Sequence, residues 1–406
     1  MTNATMAAMN NDLSATEAAR LLGVSLPTLY SYVSRGLLVS VSHGAARRKR
    51  YPQEEVLRLA ARKNDARRGG QAAVTAMHWG LPVLETQISH ILEGRLLYRG
   101  CDATLLAQHA SLETAASLLW DDGAIDYFHQ DAPPLPPQLA SAPDATPLTR
   151  AMVAMVAMAM PASTPAPATT PASMLQAGPA LMRTLAAALL QTAPSALPLH
   201  QQLALAWQAD AEQTELLRAA LVLLADHELN ASTFAVRCVA STGASLPAAL
   251  GAGLAALSGD RHGGGSAAAR RMLTQALAAS DARDAVGAYY MSIAPEFAGF
   301  GHPLYPHGDP RAAYLLGILA TLAHEPPRLQ AILAACATAE ELLDARPNAD
   351  LALAAMELAF GWPEGAGMSV FALARSAGWI AHAAEQAASA ALIRPRARYI
   401  GRHLRD

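Results

Sequence analysis

Residues 297–312 form a glycine-rich stretch that brings two histidines and an arginine close together in sequence. Asp309 and Pro310 make a favourable N-cap and first-turn pair, so we expect Arg311 in the first turn of a helix. His302 lies in the loop before that helix, where neighbouring glycines free the backbone to turn. A loop histidine close to a helix arginine could hold and polarise a small anion. The alternative is that His302 is an ordinary loop residue and Arg311 a solvated one.

A second candidate, His227, lies between Asp226 and Glu228 in an apolar segment that predicts a long helix. Burying charge is costly without partners, so a histidine between two acids needs a reason. Taken alone, this motif is better explained by a hydrogen-bonded core histidine than by a binding site.

A third candidate, His262, precedes three glycines and a helix predicted over residues 267–278. The dipole at a helix N-terminus disfavours the imidazolium. A neutral imidazole can donate a hydrogen bond to a carbonyl oxygen that is becoming an enolate, although a plain turn explains the same residues.

A fourth candidate, Asp350, precedes a helix predicted over residues 351–360. The strong alternative to a chemical role is that Asp350 is the N-cap of this helix.

Composition limits the class of protein. A chain of 406 residues can form two or three domains with a sizeable core, and its low aromatic content of 5% favours closely packed, alanine-rich helices. The three cysteines lie far apart without metal-ligand spacing, which favours a reducing compartment and argues against a disulfide framework or a metal site. No apolar run reaches membrane-spanning length, so we expect a cytoplasmic protein without a membrane partner.

Charge is distributed unevenly along the chain. Residues 1–70, here called the head, contain 11 Lys and Arg against 5 Asp and Glu, a net charge of +6. The remainder carries 19 basic against 28 acidic residues, a net charge of −9. A basic head on an acidic body indicates that the head meets a polyanion.

The head contains two predicted helices. Ser14-Ala-Thr-Glu17 is a capping box that predicts a helix through Leu22, and Ser25 is the expected cap of a second helix over residues 26–34. The spacing of their apolar residues, including Leu21, predicts a helix-turn-helix, and residues 44–51 predict a basic wing.

Residues 14–59 resemble the winged helix-turn-helix of MerR-type regulators and excisionases, most clearly from Thr28 to Leu38 and at Arg50-Tyr51. The resemblance implies that a set of polar and basic residues contacts the major groove and the flanking phosphates. These residues are Ser25, Thr28, Ser31, Arg35, Arg47, Arg48, Lys49 and Arg50. DNA is therefore the expected partner of the head, and the alternatives are a protein-binding module or a relic.

Beyond the head, Gly69-Gly70 predicts a linker, and residues 103–120 have a helical pattern. Residues 132–178 are rich in Pro, Ala, Met and Thr, which indicates a loose connection or degraded helices rather than regular structure. From Leu181 onward nearly the whole chain has a helical pattern.

Seven motifs of the body occur in an order that resembles the citrate synthase family. The likeness covers roughly residues 77–402 and thins through 125–200. The motifs are Tyr98-Arg-Gly, Asp226-His-Glu-Leu-Asn-Ala-Ser, His262-Gly-Gly, Gly299-Phe-Gly-His302 with Asp309-Pro-Arg311, Pro347-Asn-Ala-Asp350, Ala374-Arg-Ser-Ala-Gly-Trp-Ile-Ala-His382 and Ile393-Arg394-Pro-Arg-Ala-Arg-Tyr.

The resemblance implies a catalytic trio. Asp350 would remove a proton from the methyl carbon of acetyl-CoA, and His262 would hydrogen-bond the thioester oxygen. His302 would polarise the ketone of oxaloacetate and protonate the new alkoxide. A methyl thioester is a poor carbon acid, so the carboxylate needs electrostatic stabilisation of the enol.

The resemblance also implies the residues that hold the oxaloacetate carboxylates, since arginine pairs bidentately with such groups. These are His227, Arg311, Arg375 and, from the partner subunit of a homodimer, Arg394. Oxaloacetate and an acyl-CoA would be the substrates, and no cofactor or metal is implied.

Three positions depart from the family pattern. Ser266 stands where asparagine is usual, and Pro303 and Pro306 replace an arginine and a lysine on the CoA side. The chain has only two lysines, Lys49 and Lys63, and both lie in the head. Arginine or backbone groups would therefore have to meet the CoA phosphates, which bears on CoA affinity and turnover.

The sequence thus predicts an all-α protein. A winged helix-turn-helix over residues 1–70 precedes a two-domain citrate synthase-like body over 76–406. The large subdomain would comprise about 76–263 and 361–406, and the smaller, mobile one about 264–360.

Two functions remain open at this point. The first is condensation of acetyl-CoA or a related acyl-CoA with oxaloacetate, and the second is transcription regulation with the body as an acyl-CoA or oxo-acid sensor. Acetyl-CoA and propionyl-CoA are not distinguished, because one methylene is worth only ~1–3 kcal/mol.

Overall fold

The computed structural model describes residues 12–22, 24, 26, 29, 33, 38, 40–43, 48–53, 56, 84–129, 131–133, 145–160, 169–292, 299–322, 327–397 and 399–401. The chain divides into two units, Met1–Glu85 and Thr86–Asp406. The linker predicted at Gly69-Gly70 lies outside the described residues.

In the first unit, Ser14 begins helix α1 (Ala15–Leu22), as its capping box predicts. The backbone N–H of Ser14 donates to Glu17 Oε2 at 2.8 Å, and the N–H of Glu17 donates to Ser14 Oγ at 3.3 Å. Leu22 is buried by the packing of α1, whereas Leu21 is 45% exposed, so its expected place in the helix packing is wrong.

The described part of the predicted wing lies in a strand of an antiparallel sheet. Strands β1 (Asp12–Leu13), β2 (Val41–His43) and β3 (Arg48–Pro52) form an antiparallel sheet in the order β1-β3-β2. Tyr51 of β3 is buried in one apolar cluster with Leu29. The basic strand is thus anchored to the core of this unit by its aromatic residue.

The second unit begins with a small antiparallel sheet, β4 (Ser89–Leu92), β5 (Arg95–Tyr98) and β6 (Cys101–Asp102). Helices make up most of the remainder of this unit, in agreement with the predicted fold class. They are α2 (Ala103–Leu106), α3 (Leu112–Asp121), α4 (Pro147–Ala159), α5 (Pro171–Leu190), α6 (Leu199–Trp207), α7 (Ala211–Leu223), α8 (Ala231–Ala240), α9 (Leu246–Leu257), α10 (Gly264–Ala278), α11 (Ala282–Ser292), α12 (Pro310–Thr321), α13 (Pro327–Leu343), α14 (Ala349–Phe360) and α15 (Ala366–Ser389).

The core of this unit surrounds α15, a helix of 24 residues. α15 packs against α5, α8 and α3, and it buries Trp379 completely. Small residues on the neighbouring helices allow this close packing: a Cβ at Gly253 of α9 would lie 2.8 Å from Val236 Cγ2 and 3.0 Å from the Trp379 ring. Alanine-rich helices therefore approach closely around one large aromatic side chain.

Two segments differ from the sequence-based expectation. The helix predicted over 103–120 is interrupted, because Ser111 caps a new helix by accepting from the N–H of Thr114 at 3.2 Å. The Pro/Ala-rich stretch 132–178 contains α4 and the start of α5, so of the two alternatives, a loose connection or degraded helices, the structure shows helices. Thr146 and Thr170 cap these helices, and a proline follows each cap in the first turn.

Within the part of the chain that the structure describes, every helix is too short or too polar to cross a membrane.

Candidate active site

His227 lies in the connection between α7 and α8, so its predicted place inside a long helix is wrong; α7 ends at Leu223. Tyr98 of β5 holds this connection. Its hydroxyl lies 3.0 and 3.1 Å from the carbonyl oxygens of Val222 and Leu223, and it accepts the N–H of Asp226 at 3.3 Å. The buried tyrosine thus satisfies the end of α7 and fixes the backbone that carries His227.

Asp226 lies in the same connection, and its carboxylate is fully buried. It accepts a hydrogen bond from the Ser89 hydroxyl and lies 3.4 Å from His382 Nε2. Burial by itself raises the pKa of the Asp226 carboxyl, but attraction to His382 and Arg375 lowers it on balance. Glycine is required at 378, because a Cβ there would lie 2.8 Å from Asp226 Cγ.

Arg375 is fully buried on α15 and has donors without partners. Its Nε donates to the carbonyl oxygen of Leu224 at 2.9 Å, and its Cζ lies 4.7 Å from the centroid of the Phe371 ring. Nη1 and Nη2 find no hydrogen-bond partner among the residues that the structure describes. Burial lowers the pKa of this guanidinium to about 10. A buried donor without a partner costs about 1–3 kcal/mol, so this side chain is suited to bind an anion.

Arg311 lies in the first turn of α12 with Asp309 as the N-cap, as predicted. The two side chains form a two-pronged pair, Nε to Oδ1 at 2.9 Å and Nη2 to Oδ2 at 2.7 Å. Asp309 also accepts the N–H of Ala349 at 3.1 Å, which joins α12 to the start of α14. Burial by itself lowers the pKa of Arg311, but Asp309 raises it on balance. Nη1 lies outside this two-pronged pair.

His302 lies beside His227 and Tyr305, with ring centroids 5.0 and 4.9 Å away. The N–H of Leu304 donates to His302 Nδ1 at 3.2 Å, so the proton of a neutral ring lies on Nε2. Burial and the neighbouring Arg311 lower the pKa of His302 to about 4. The imidazole is therefore neutral at neutral pH and carries its donor on Nε2.

Tyr305 is a site residue that sequence reasoning missed, although it lies three positions after His302. Its hydroxyl is 2.9 Å from His227 Nε2, and its ring centroid is 5.6 Å from Arg311 Cζ. Burial raises the pKa of Tyr305, so the hydroxyl keeps its proton. Burial, reinforced by Arg311 and Arg375, lowers the pKa of His227 well below its ordinary value. A neutral tyrosine and a neutral histidine thus share one hydrogen bond.

His262 lies in the turn before α10, which begins at Gly264 and so starts three residues earlier than predicted. His262 Nε2 is 2.8 Å from Ser232 Oγ, and the Ser232 hydroxyl donates to Asn230 Oδ1 at 2.8 Å. Burial and the charge of Arg375 lower the pKa of His262 to about 4. The imidazole is therefore neutral, as the sequence predicts, and Ser232 is a contact that the sequence did not assign.

Asp350 lies in the first turn of α14, but it is not the N-cap. That position belongs to Asn348, whose side chain accepts the N–H of Asp350 at 3.0 Å, so the expectation of Asp350 as the cap is wrong. Burial raises the pKa of the Asp350 carboxyl to about 6. A Cβ at Gly265 would lie 2.8 Å from Asp350 Cγ, so α10 lies directly against this carboxyl group.

A short backbone pairing joins the loop before α12 to the loop before α14. The N–H of Gly301 donates to the carbonyl oxygen of Arg346 at 2.8 Å, and the N–H of Asn348 donates to that of Gly299 at 2.9 Å. Gly299 has a φ of +87°, and a Cβ there would lie 2.9 Å from Leu351 Cβ. This close approach holds the two candidate catalytic loops side by side.

The structure thus brings together six of the seven substrate and catalytic residues that the sequence predicts, through ring contacts and mutual electrostatic effects. They are His227, His262, His302, Arg311, Asp350 and Arg375. Arg394 lies exposed in the C-terminal segment, and its role in a partner subunit's site stays a prediction.

Most of the predicted DNA contacts cannot be placed, because they lie outside the described residues. These are Ser25, Thr28, Ser31, Arg35 and Arg47. Arg48, Lys49 and Arg50 lie in β3, where Lys49 and Arg50 are exposed, so DNA binding by the wing stays a prediction. Among the residues that the structure describes, no group of three or more His, Cys, Asp or Glu is placed to hold a metal ion.

Comparison with known proteins gives two family matches. The family model for the citrate synthase C-terminal domain matches residues 76–396, and a helix-turn-helix domain model matches residues 13–64. The first match covers most of the chain, and the second confirms the helix-turn-helix that the head predicts.

Curated relatives match over part of their length. The chain is 35% identical over 198 residues to "Citrate synthase 2" of Bacillus subtilis (strain 168), covering 47% of this chain and 51% of the relative. It is 33% identical over 191 residues to "2-methylcitrate synthase" of Shewanella oneidensis, covering 46% and 51%. The chain thus spans about half the length of the curated relatives it matches.

Solved structures share the fold. Citrate synthase from Thermotoga maritima MSB8 superposes with a TM-score of 0.65 at 24% identity, covering 80% of this chain and 96% of that one. Citrate synthase from Thermoplasma acidophilum, solved as a ternary complex with carboxymethyl coenzyme A and oxaloacetate, has a TM-score of 0.64 at 23% identity, covering 80% and 96%. With its family match over residues 76–396, the chain belongs to the citrate synthase family and carries a helix-turn-helix domain before the synthase body.

Proposed function

We propose that the body condenses acetyl-CoA, or a related short acyl-CoA, with oxaloacetate and releases CoA. The observation that carries this proposal is the combination of two neutral histidines and a carboxyl group of raised pKa around buried arginines. Family membership supports the reaction type, and the names of the relatives leave the acyl group open between acetyl and propionyl.

In the proposed reaction, Asp350 takes a proton from the methyl carbon of the thioester. His262 stabilises the resulting enol by donating a hydrogen bond to the thioester oxygen. In the structure the Ser232 hydroxyl donates its one proton to Asn230 Oδ1. This role therefore requires the hydroxyl to turn and donate to His262 Nε2 instead, which leaves the ring proton on Nδ1. An ordinary carboxylate is a weak base for this carbon acid, and burial of Asp350 makes it stronger.

The enol carbon then attacks the ketone carbon of oxaloacetate. His302 donates its Nε2 proton to the ketone oxygen as the carbon–carbon bond forms, giving a tertiary alcohol and a thioester. Solvent then returns a proton to His302, and Asp350 releases to solvent the proton that it took from the methyl carbon. Water hydrolyses that thioester, which releases CoA and the tricarboxylic acid. Arg311 Nη1 and the unpartnered nitrogens of Arg375 would hold the oxaloacetate carboxylates, together with His227.

We propose that the body divides at α10 and α14 into the two subdomains that the sequence predicts, with residues 264–360 as the mobile part. Support comes from the connection between α14 and α15, where Gly361 and Gly365 have φ values of +65° and +87°. Glu357 accepts the N–H of Gly365 at 3.3 Å and of Gly367 at 2.9 Å across this passage. Glycines at such positions can absorb the backbone rotation of a hinge.

We also propose a homodimer in which Arg394 completes the partner's site. Support comes from the C-terminal segment, where Leu392, Tyr399 and Ile400 are 59%, 67% and 85% exposed. Large apolar residues exposed within nine positions of the chain are what an interaction surface in this segment would bury.

A thiol-release assay with oxaloacetate and a panel of acyl-CoAs tests the reaction. Thiol release that requires oxaloacetate supports the proposal, and its absence with every acyl-CoA would refute it.

Mixing two inactive variants, Asp350→Asn and Arg394→Ala, tests whether the active site is shared between the subunits of a dimer. A dimer that exchanges subunits should recover about a quarter of the parental activity, because half the dimers are mixed and each mixed dimer keeps one intact site.

For the head we propose DNA binding. Support comes from the exposed Lys49 and Arg50 on the basic strand and from the helix-turn-helix match. Regulation by ligands of the body, the competing function, stays a prediction.

A further inference from the structure

A cavity of about 550 Å³ opens beside His302, between the loop before α12 and the turn after α13. The residues that line it include Pro306, His307, Asp344 and Arg346. Because His302 is the proposed donor to the ketone, a molecule that reaches the reaction centre through this cavity would pass these side chains.

The cavity has few positive charges to offer a polyanion. Asp344 contributes a carboxylate, and Pro306 contributes no charge. Among the described residues that line the cavity, the arginine of position 346 is the one permanently charged cation, and its Nη1 pairs with Glu340 Oε1 of α13. The charge of Arg346 is therefore neutralised by the Glu340 carboxylate in this structure.

The backbone of Arg346 is fixed, whereas its side chain is exposed. Its carbonyl oxygen accepts the N–H of Gly301 at 2.8 Å. Gly308 has a φ of +115°, and a Cβ there would lie 3.4 Å from both Cβ and Cγ of Arg346, so the loop packs along its aliphatic stem. The side chain beyond is 70% exposed, which leaves the guanidinium free to exchange its partner.

We propose that Arg346 binds a phosphate of the acyl-CoA, and that Glu340 holds the guanidinium until the phosphate replaces it. This inference rests on the proposed acyl-CoA chemistry. Exposed ion pairs are worth only about 0.2–1 kcal/mol, so breaking the pair costs little. A phosphate offers arginine a charge-assisted, two-pronged contact. Such a contact can displace the single contact that Arg346 Nη1 makes with Glu340.

The test compares three acetyl donors of decreasing charge: acetyl-CoA, its 3′-dephospho form and acetyl-pantetheine. Arg346→Met keeps the stem and should raise the KM for acetyl-CoA about 10-fold or more, with kcat and the KM for acetyl-pantetheine unchanged. Glu340→Gln removes the competitor and should lower the KM for acetyl-CoA by roughly 1.5- to 5-fold.

Arg283→Met provides the matched control. Arg283 is also exposed and pairs with Glu341, the next residue of α13, at 3.2 Å, but it does not line the cavity. Its KM for each donor should equal that of the parent. If the effect of Arg346→Met vanishes with the dephospho donor, the contact is to the 3′-phosphate; if it persists, the contact is to the diphosphate.

Calorimetric titration with CoA and with pantetheine separates this inference from the proposed reaction. CoA binding that weakens in Arg346→Met, without turnover, would refute the reaction and keep the phosphate contact. Turnover with equal KM and Kd values in Arg346→Met and the parent would refute the contact and keep the reaction. Absence of CoA binding to the parent would overturn both.

Discussion

Replacing Asp350 by asparagine should lower turnover by orders of magnitude and at the same time stabilise the protein. Burial raises the pKa of this carboxyl from 3.8 to about 6. Each pKa unit corresponds to about 1.4 kcal/mol, so keeping Asp350 ionised in the folded protein costs about 3 kcal/mol at pH 8. Asn348 remains as the cap of α14, so the substitution removes the charge without removing the cap.

The sign of the pH dependence is set by proton binding. Between pH 3.8 and 6 the folded protein holds a proton on Asp350 that the unfolded chain has lost, so this group makes the free energy of unfolding fall as pH rises. The Asp350→Asn variant lacks this titration. Urea unfolding should therefore show the variant to be more stable than the parent by about 2–3 kcal/mol at pH 8, with the difference approaching zero near pH 4.

Activity gives the second half of the test. Loss of a general base costs about 10²–10⁴-fold, so kcat of Asp350→Asn should fall by that factor. In the parent, kcat/KM should rise with pH through about 6, where the base loses its proton. Asp122→Asn is the control: this carboxylate is exposed at the C-cap of α3, and its replacement should leave activity unchanged. An unfolding difference that is the same at pH 4 and pH 8, or retained turnover, would refute the reasoning.

Three further outcomes are expected. Arg311→Lys should weaken oxaloacetate binding by roughly 10- to 150-fold in a calorimetric titration, because an ammonium cannot reproduce the planar fork; an unchanged titration would exclude Arg311 from the site. Ser232→Ala should lower kcat by roughly 2- to 12-fold with little change in the KM for oxaloacetate, since it removes one hydrogen bond that orients His262; an effect on KM alone would contradict this role. Replacing Lys49 and Arg50 together by alanine in the full chain should weaken DNA binding and flatten its dependence on salt in a fluorescence titration, and an unchanged salt dependence would exclude the wing from the contact.

Local sequence rules placed the start of a helix correctly where one capping residue was unambiguous. Asp309 followed by Pro310 correctly placed Arg311 in the first turn of its helix, because side-chain caps act within three residues. The same rule failed for Asp350, since Asn348 two positions earlier is an equally good cap and takes that role. Capping chemistry therefore locates a helix start to within a turn, but it does not choose between two neighbouring candidates.

Contacts between distant parts of the chain were beyond local prediction. His382 meets Asp226 across 156 positions, and Tyr305 meets His227 across 78. No period or cap in the sequence encodes such pairs, because they depend on how whole helices pack. The proline-rich stretch 132–178 misled for a related reason: its composition suggests disorder, whereas packing against α9 and α15 stabilises α4 and α5.

The electrostatics of the site result from burying two cations together. Asp309 neutralises Arg311, while Arg375 has Asp226 near it and keeps two nitrogens without a partner among the described residues. Burial of the site and these guanidinium groups disfavour any further positive charge, which is why the neighbouring imidazoles stay neutral. The buried arginines attract a dianion to this site. The neutral histidines can donate hydrogen bonds to the bound dianion without transferring a proton to it in the ground state. We therefore expect a dianionic oxo acid to bind this cleft more tightly than a neutral ketone.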